Sequence, residues 1–165
     1  MLIGGIVSKA SGGSFERGAV TAGVVFLFND IESKYNTVEE RRAYVLKIAN
    51  KLLDNPRVFT RYKNVLKNLL NKNRVIYVDH LYTTVSVGKK YIKAEFFGVT
   101  AADFSYIKIG GKNFRYWLEQ NKPYMIDYQL SHTILHEVHH IILRNNLHFK
   151  GMDNEIVEME FGGGY

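Results

Sequence analysis

Apolar positions recur at helical spacing in two early stretches of this chain. Val45, Ile48, Ala49, Leu52 and Leu53 fall three and four apart, which places them on one face of a helix. Thr37 with Glu40 makes a capping box ahead of them, and Asn55-Pro56 breaks the pattern behind them. A second helix is predicted over residues 58–71, with Val65, Leu66, Leu69 and Leu70 apolar and Arg61, Lys63 and Lys67 polar. From residue 74 the period drops to two. Residues 74–78, 82–87, 91–97 and 104–109 are rich in Val, Ile, Thr, Tyr and Phe and read as strands. Gly88-Lys89-Lys90 and Gly110-Gly111 mark turns, and residues 114–120 suit either a strand or a short helix. A longer helix is predicted over residues 127–144, with Asp127 as its N-cap and Asn145-Asn146 as its stop. A last short helix follows over residues 153–161, with Ile156 and Met159 on its core side. The expected fold class is α+β: N-terminal helices, a small, mostly antiparallel twisted sheet, then two C-terminal helices.

The helix over 127–144 carries the candidate chemistry. His136-Glu137-Val138-His139-His140 is an HExxH pentapeptide. Residues four apart share a helix face, so His136 and His140 can both point at one metal ion. Glu137 is rotated by about 100° from His136. Its carboxylate then lies beside the ion, where it can take a proton from a water in the open coordination position. Leu130, Ile134, Leu135, Val138, Ile141, Ile142 and Leu143 make the helix apolar nearly all round, so it is expected to be buried. Buried imidazoles and a buried carboxylate need partners, and a metal ion satisfies them. The plainer alternative is a core helix whose histidines are hydrogen-bonded and metal-free.

A catalytic zinc needs a third protein ligand. His148, Asp153, Glu155, Glu158 and Glu160 follow the motif. Glu155 and Glu158 lie three apart on one face of the last helix; Glu155 is the favoured ligand and Glu158 the alternative. His148 does not sit at the spacing of a three-histidine metzincin site. His132, one turn before His136, reads first as an ordinary partly exposed histidine, with a second-shell or substrate-side group as the other candidate, whereas His139 points elsewhere and is read as incidental.

Composition narrows the chemistry. The chain has 165 residues and no cysteine, so there is neither a disulfide framework nor a thiolate metal site. Any zinc must be held by His and carboxylate, which suits a catalytic site. The formal net charge is +6, which permits anionic partners. The basic residues Arg61, Lys63, Lys67, Lys72 and Arg74 alternate with apolar ones, however, and read as a solvated helix face rather than a nucleic-acid surface. Residues 1–14 read as a Gly- and Ser-rich leader with no signal-peptide pattern. The apolar run 19–28 is shorter than the roughly 20 residues that span a bilayer.

The order of twisted sheet, HExxH helix and Glu-bearing helix resembles the glutamate-ligand branch of the zincin metallopeptidases. The resemblance spans residues 74–161 and rests on His136, Glu137 and His140; it implies Zn²⁺, and Glu155 is carried over as the matching glutamate. The position three after that ligand usually holds a small residue and here holds Glu158. A second resemblance concerns Gly12-Gly13-Ser14-Phe15-Glu16-Arg17-Gly18-Ala19-Val20-Thr21-Ala22-Gly23 with Phe26-Leu27-Phe28-Asn29-Asp30. It looks like the junction that precedes the C-terminal toxin domain in bacterial polymorphic toxins of the Rhs/YD-repeat and filamentous-haemagglutinin (contact-dependent) types. Residues 1–30 are then a junction and pretoxin segment, and 31–165 a zincin-like domain. The resemblance implies an effector delivered to the target-cell cytoplasm, where it cleaves a protein, and an immunity protein, expected to be acidic, in the producer. The competing expectations are a nuclease-type toxin, a non-catalytic zinc-binding module, and a zincin that cleaves its own carrier.

Overall fold

The structure is a computed structural model that describes residues 35–88, 90–146 and 154–161. The leader, the junction-like segment, the apolar run 19–28, His148 and Asp153 lie outside the described residues. The chain divides into two compact units, Met1–Thr37 and Val38–Tyr165. The second contains every element discussed below.

Helix α1 spans Val38–Asp54 and buries Val45, Ile48, Ala49 and Leu52, the face the spacing predicts. Helix α2 spans Thr60–Asn71. Its core side consists of Leu66, Leu69 and also Tyr62, which is fully buried despite the basic residues around it. Strands β1 (Val75–Val78), β2 (Tyr82–Val87), β3 (Lys90–Glu95), β4 (Gly98–Thr100) and β5 (Ile107–Gly110) follow. The segment 114–120, open between strand and helix, is helical: helix α3 spans Lys112–Glu119 with Gln120 as its C-cap.

The strands form two sheets rather than one. One is three-stranded with order β1-β5-β4, and the other is the hairpin β2-β3. β1 and β5 are parallel, with Val75 opposite Ile107, while β4 and β5 are antiparallel, with Val99 opposite Lys108. The predicted strand 91–97 therefore ends early, at Glu95, and the short β4 was not foreseen. At the corner between them, the Phe97 carbonyl accepts hydrogen bonds from the Gly110 backbone N–H and the Asn113 side-chain amide, each at 2.7 Å.

Helix α4 spans Met125–Leu143. Its N-cap is Tyr124, not Asp127, which stands in the first turn and accepts a hydrogen bond from Tyr44 on α1. The helix begins earlier because Pro123 and Lys122 supply carbonyls to the first helical N–H groups. Leu130, Ile134, Leu135 and Val138 are buried where α4 meets α1, α2, β4 and β5. Helix α5, Asn154–Phe161, packs on α4 through Ile156 and Met159, as their positions predict. No helix of the described residues is long and apolar enough to cross a membrane.

Candidate active site

The HExxH face of α4 opens onto a cavity of about 570 Å³. His132, His136, Glu137 and His140 form its floor, the hairpin residues Thr83 and Val85 one wall, and β4 another.

His136 and His140 meet through their Nε2 atoms, 3.2 Å apart. Two nitrogens each bound at about 2.0–2.1 Å to one tetrahedral ion are separated by about 3.3 Å. The pair thus has the spacing of two ligands on a single zinc. The end of α4 fixes the state of His140. Arg144 adopts the left-handed conformation at φ 49°, and the Asn145 carbonyl turns back to 2.6 Å from His140 Nδ1. Nδ1–H donates to that carbonyl, so in the neutral ring the lone pair is on Nε2, the atom that faces His136.

Glu137 is nearly buried, at 5% exposure. Its Oε2 accepts a 2.7 Å hydrogen bond from the Thr100 hydroxyl, which also lies 2.9 Å from the Glu137 backbone carbonyl. Burial pushes the carboxyl up to about 7, against hydrogen bonds from the Thr100 hydroxyl and backbone that hold it down. A carboxyl in that range can exchange a proton near neutral pH. Gly98 makes room for it. A Cβ there would stand 2.7 Å from both Glu137 Oε1 and Thr133 Cγ2, so any larger residue displaces the carboxylate or the strand.

β4 is the cavity-lining edge of its sheet. The Gly110 N–H donates to the Phe97 carbonyl and the Ala101 N–H to the Tyr106 carbonyl. Alternation along the antiparallel ladder turns the N–H and C=O of Gly98 and Thr100 away from β5. Behind the strand, buried Asn113 joins three elements. Its amide donates to the Phe97 and Gly110 carbonyls, and its Oδ1 accepts from Thr133 on α4 at 2.9 Å. This network holds β4 at a fixed height above Glu137.

The remaining site candidates are divided between two places. Glu155 stands apart from the paired Nε2 atoms and is engaged by α2. It accepts from Arg61 and, at 2.7 Å, from Tyr62. His139, read as incidental, is buried and hydrogen-bonded through Nδ1 to the Tyr62 oxygen. Since the Tyr62 hydroxyl donates to Glu155, the His139 Nδ1–H donates to Tyr62. Burial pushes the Glu155 carboxyl up, but Arg61 and Tyr62 outweigh it and leave the net shift downward. Glu158 is exposed. The acidic side chain of α5 that reaches the cavity-lining histidines is Glu160: its Oε2 lies 3.3 Å from His132 Nδ1, and its buried Oε1 has no hydrogen-bond partner. His132 thus lies between the cavity and the Glu160 carboxylate of α5. Among the described residues, no three His, Cys, Asp or Glu side chains are gathered closely enough to hold a metal ion. His136 and His140 have the spacing of two ligands, and among the described residues no third joins them.

Thr100, Thr133, Asn113 and Gly98 escaped sequence reasoning. Only Gly98 carried a signal, as a glycine amid strand-forming residues, which marks a close approach of backbone. Comparison with known proteins finds no family model, no curated protein and no solved structure that matches the chain.

Proposed function

We propose that this chain is a zincin-like, zinc-dependent endopeptidase that acts as an antibacterial effector. One observation carries the peptidase reading: the paired Nε2 atoms of His136 and His140, with the half-protonatable Glu137 beside them, on the floor of one cavity. His136 and His140 would hold the ion, and Glu155, or Glu158, is the third ligand proposed from the sequence. Glu155 would have to leave Arg61 and Tyr62 to serve. When bound, the ion supplies Lewis acidity toward a water and toward the scissile carbonyl.

The protein groups do the rest. Glu137 accepts the proton of the attacking water at its carboxylate and returns it to the leaving amine. Thr100 holds that carboxylate by Oε2 and keeps it from rotating. The outward N–H and C=O of Gly98 and the outward C=O of Thr100 align the peptide as an added strand, while the Thr100 N–H serves Glu137. The edge beside Glu137 is β4, and Thr83, Val85 and Phe96 contribute wall. No Lys or Arg lines the cavity among the described residues. A phosphodiester backbone is bound mainly through such cations, which weighs against the nuclease alternative.

Delivery into a competing cell's cytoplasm and an acidic immunity protein are part of the proposal, supported by the resemblance of residues 12–30. The test is growth of bacteria that express the chain in the cytoplasm, beside Glu137→Gln at matched expression and equal zinc content. Arrest by the parent alone, with a host protein cleaved, is the expected result. Equal arrest by both would sink the reading of Glu137 as proton acceptor.

A further inference from the structure

A second cavity, of about 210 Å³, lies where α1, α4 and α5 meet. Much of its wall is apolar: Leu52 of α1, Val58 beyond the end of that helix, Leu135 of α4 and Met159 of α5 are all buried. The polar groups come from the two later helices. Asp127 and Ser131 stand one turn apart on α4, and Glu160 comes from α5. No Lys, Arg or His lines this space among the described residues, in a chain whose net charge is +6.

Glu160 is the group that wants a partner. Its side chain is 7% exposed. Oε2 faces His132 Nδ1 at 3.3 Å, while Oε1 is buried with no hydrogen-bond partner, a costly state for a carboxyl oxygen. The cations nearby do not supply one. Arg57 donates to the Glu160 backbone carbonyl at 3.4 Å, and Lys51 pairs with Asp127 at 3.4 Å. The fold also keeps α5 in this orientation, because Ile156 and Met159 are buried and the Phe59 N–H donates to the Met159 sulfur at 3.3 Å.

These features specify a ligand chemistry. A buried carboxylate is stabilised by a paired, hydrogen-bonded cation. Because Oε2 faces His132, only one oxygen is on offer. A guanidinium binds a carboxylate best through both oxygens, whereas an ammonium needs one. Its other N–H groups can meet the Ser131 hydroxyl and the lone pairs of Asp127 left over by Tyr44 and Lys51. A calcium-type ion takes about six or more oxygens, and among the described residues no three metal-binding side chains are gathered. The apolar wall suits a run of methylenes, as along a lysine stem. An apolar cavity of about 150 Å³ holds a benzene molecule, so this one has room for a butyl-sized chain and its head group.

We propose that the cavity between α1, α4 and α5 is a second binding site, which takes a primary alkylammonium group, from a free amine or from a lysine side chain, with Glu160 as its anion. It does not depend on the peptidase reading, and either can fail without the other.

The full chain, labelled at its methionine methyl groups, is titrated at fixed pH and ionic strength with butylammonium, with Nα-acetyl-lysine methylamide and with n-butanol. The Met159 resonance should shift saturably with butylammonium. A matching shift with the lysine derivative assigns the site to lysine side chains, and its absence assigns the site to free amines. Butanol, similar in shape but uncharged, should bind about tenfold more weakly or less, and Glu160→Gln should weaken butylammonium by about the same factor. Ser131→Leu, on a half-buried helix position, fills the space without touching the carboxylate and should abolish the shift, which keeps the test in hand if Glu160→Gln unfolds the chain. Butanol that binds as well as butylammonium, or binding undiminished in Glu160→Gln, would overturn the proposal. So would the lack of a saturable shift with either amine, which would leave Oε1 to solvent.

Discussion

Glu137 is held at a cost to the fold. Its carboxyl takes up a proton near pH 7 in the folded chain, against an ordinary value of 4.5, because burial disfavours the charge. Between those values the folded state holds the extra proton, so stability falls as pH rises across the window and stays low above it. Glu137→Gln removes the charge and keeps an oxygen for Thr100. The metal-free variant should be more stable than the parent by about 2–3 kcal/mol at pH 8. The gain should largely vanish near pH 4, where the parent's Glu137 carboxyl is mostly protonated in the folded and the unfolded chain alike. Urea unfolding in the presence of a chelator at the two pH values measures it. A group that destabilises the fold at neutral pH is the kind of residue retained for chemistry rather than packing.

At the level of elements, α2, α4 and α5 are joined by a single polar chain, from His139 through Tyr62 to Glu155 and Arg61. Tyr62→Phe leaves a buried imidazole N–H and a carboxylate oxygen without their shared partner. An unsatisfied buried group costs about 1–3 kcal/mol, and chemical denaturation should show a loss of that size. The same chain shows what sequence could and could not reveal. The inner faces of α1 and α5 were readable because helical spacing alone sorts apolar from polar residues. The HExxH pair was readable because i and i+4 share a face whatever surrounds the helix. Tyr62 was not, because its partners lie 77 and 93 residues along the chain. Splitting the strands into two sheets depended on the Phe96-Phe97 corner, held by Asn113 from a helix that sequence left undecided. The contacts of Glu155 with Arg61 and Tyr62 were not legible either, because those partners stand 94 and 93 residues away in sequence.

Across the whole second unit, Asp79 gathers groups from several elements. Tyr77 on β1, Arg41 on α1 and Arg115 on α3 all reach its Oδ1, at 2.7, 2.8 and 3.2 Å, and Arg115 continues to Glu95 on β3. Burial pushes the Asp79 carboxyl up, but these donors outweigh it and the net shift is downward. A depressed carboxyl contributes stability that is present above its unfolded value and lost as pH falls through the folded one. Asp79→Asn should therefore cost about 1–2 kcal/mol at pH 7, in keeping with hydrogen bonds to a charged group that stays partly wet. The difference between variant and parent should narrow as pH falls below the ordinary aspartate range, as thermal unfolding across a pH series would record. Parent and variant curves that stay parallel down to about pH 2 would remove the cluster from the account of acid stability.

One arrangement at the end of α4 sets the order in which the molecule fails. The carbonyl that fixes His140 belongs to Asn145, just past Arg144, a non-glycine residue in the left-handed region. Such a conformation is disfavoured by about 1–2 kcal/mol, and the last turn of a helix opens more readily than its middle. The imidazole thus depends on the least protected part of the helix, while Leu130, Ile134 and Val138 depend on the most protected. Under mild denaturant the ring loses its fixed tautomer while the core is still closed. Under the proposed peptidase reading, activity is then lost before compactness, and a population can be intact by every measure of compactness and already spent.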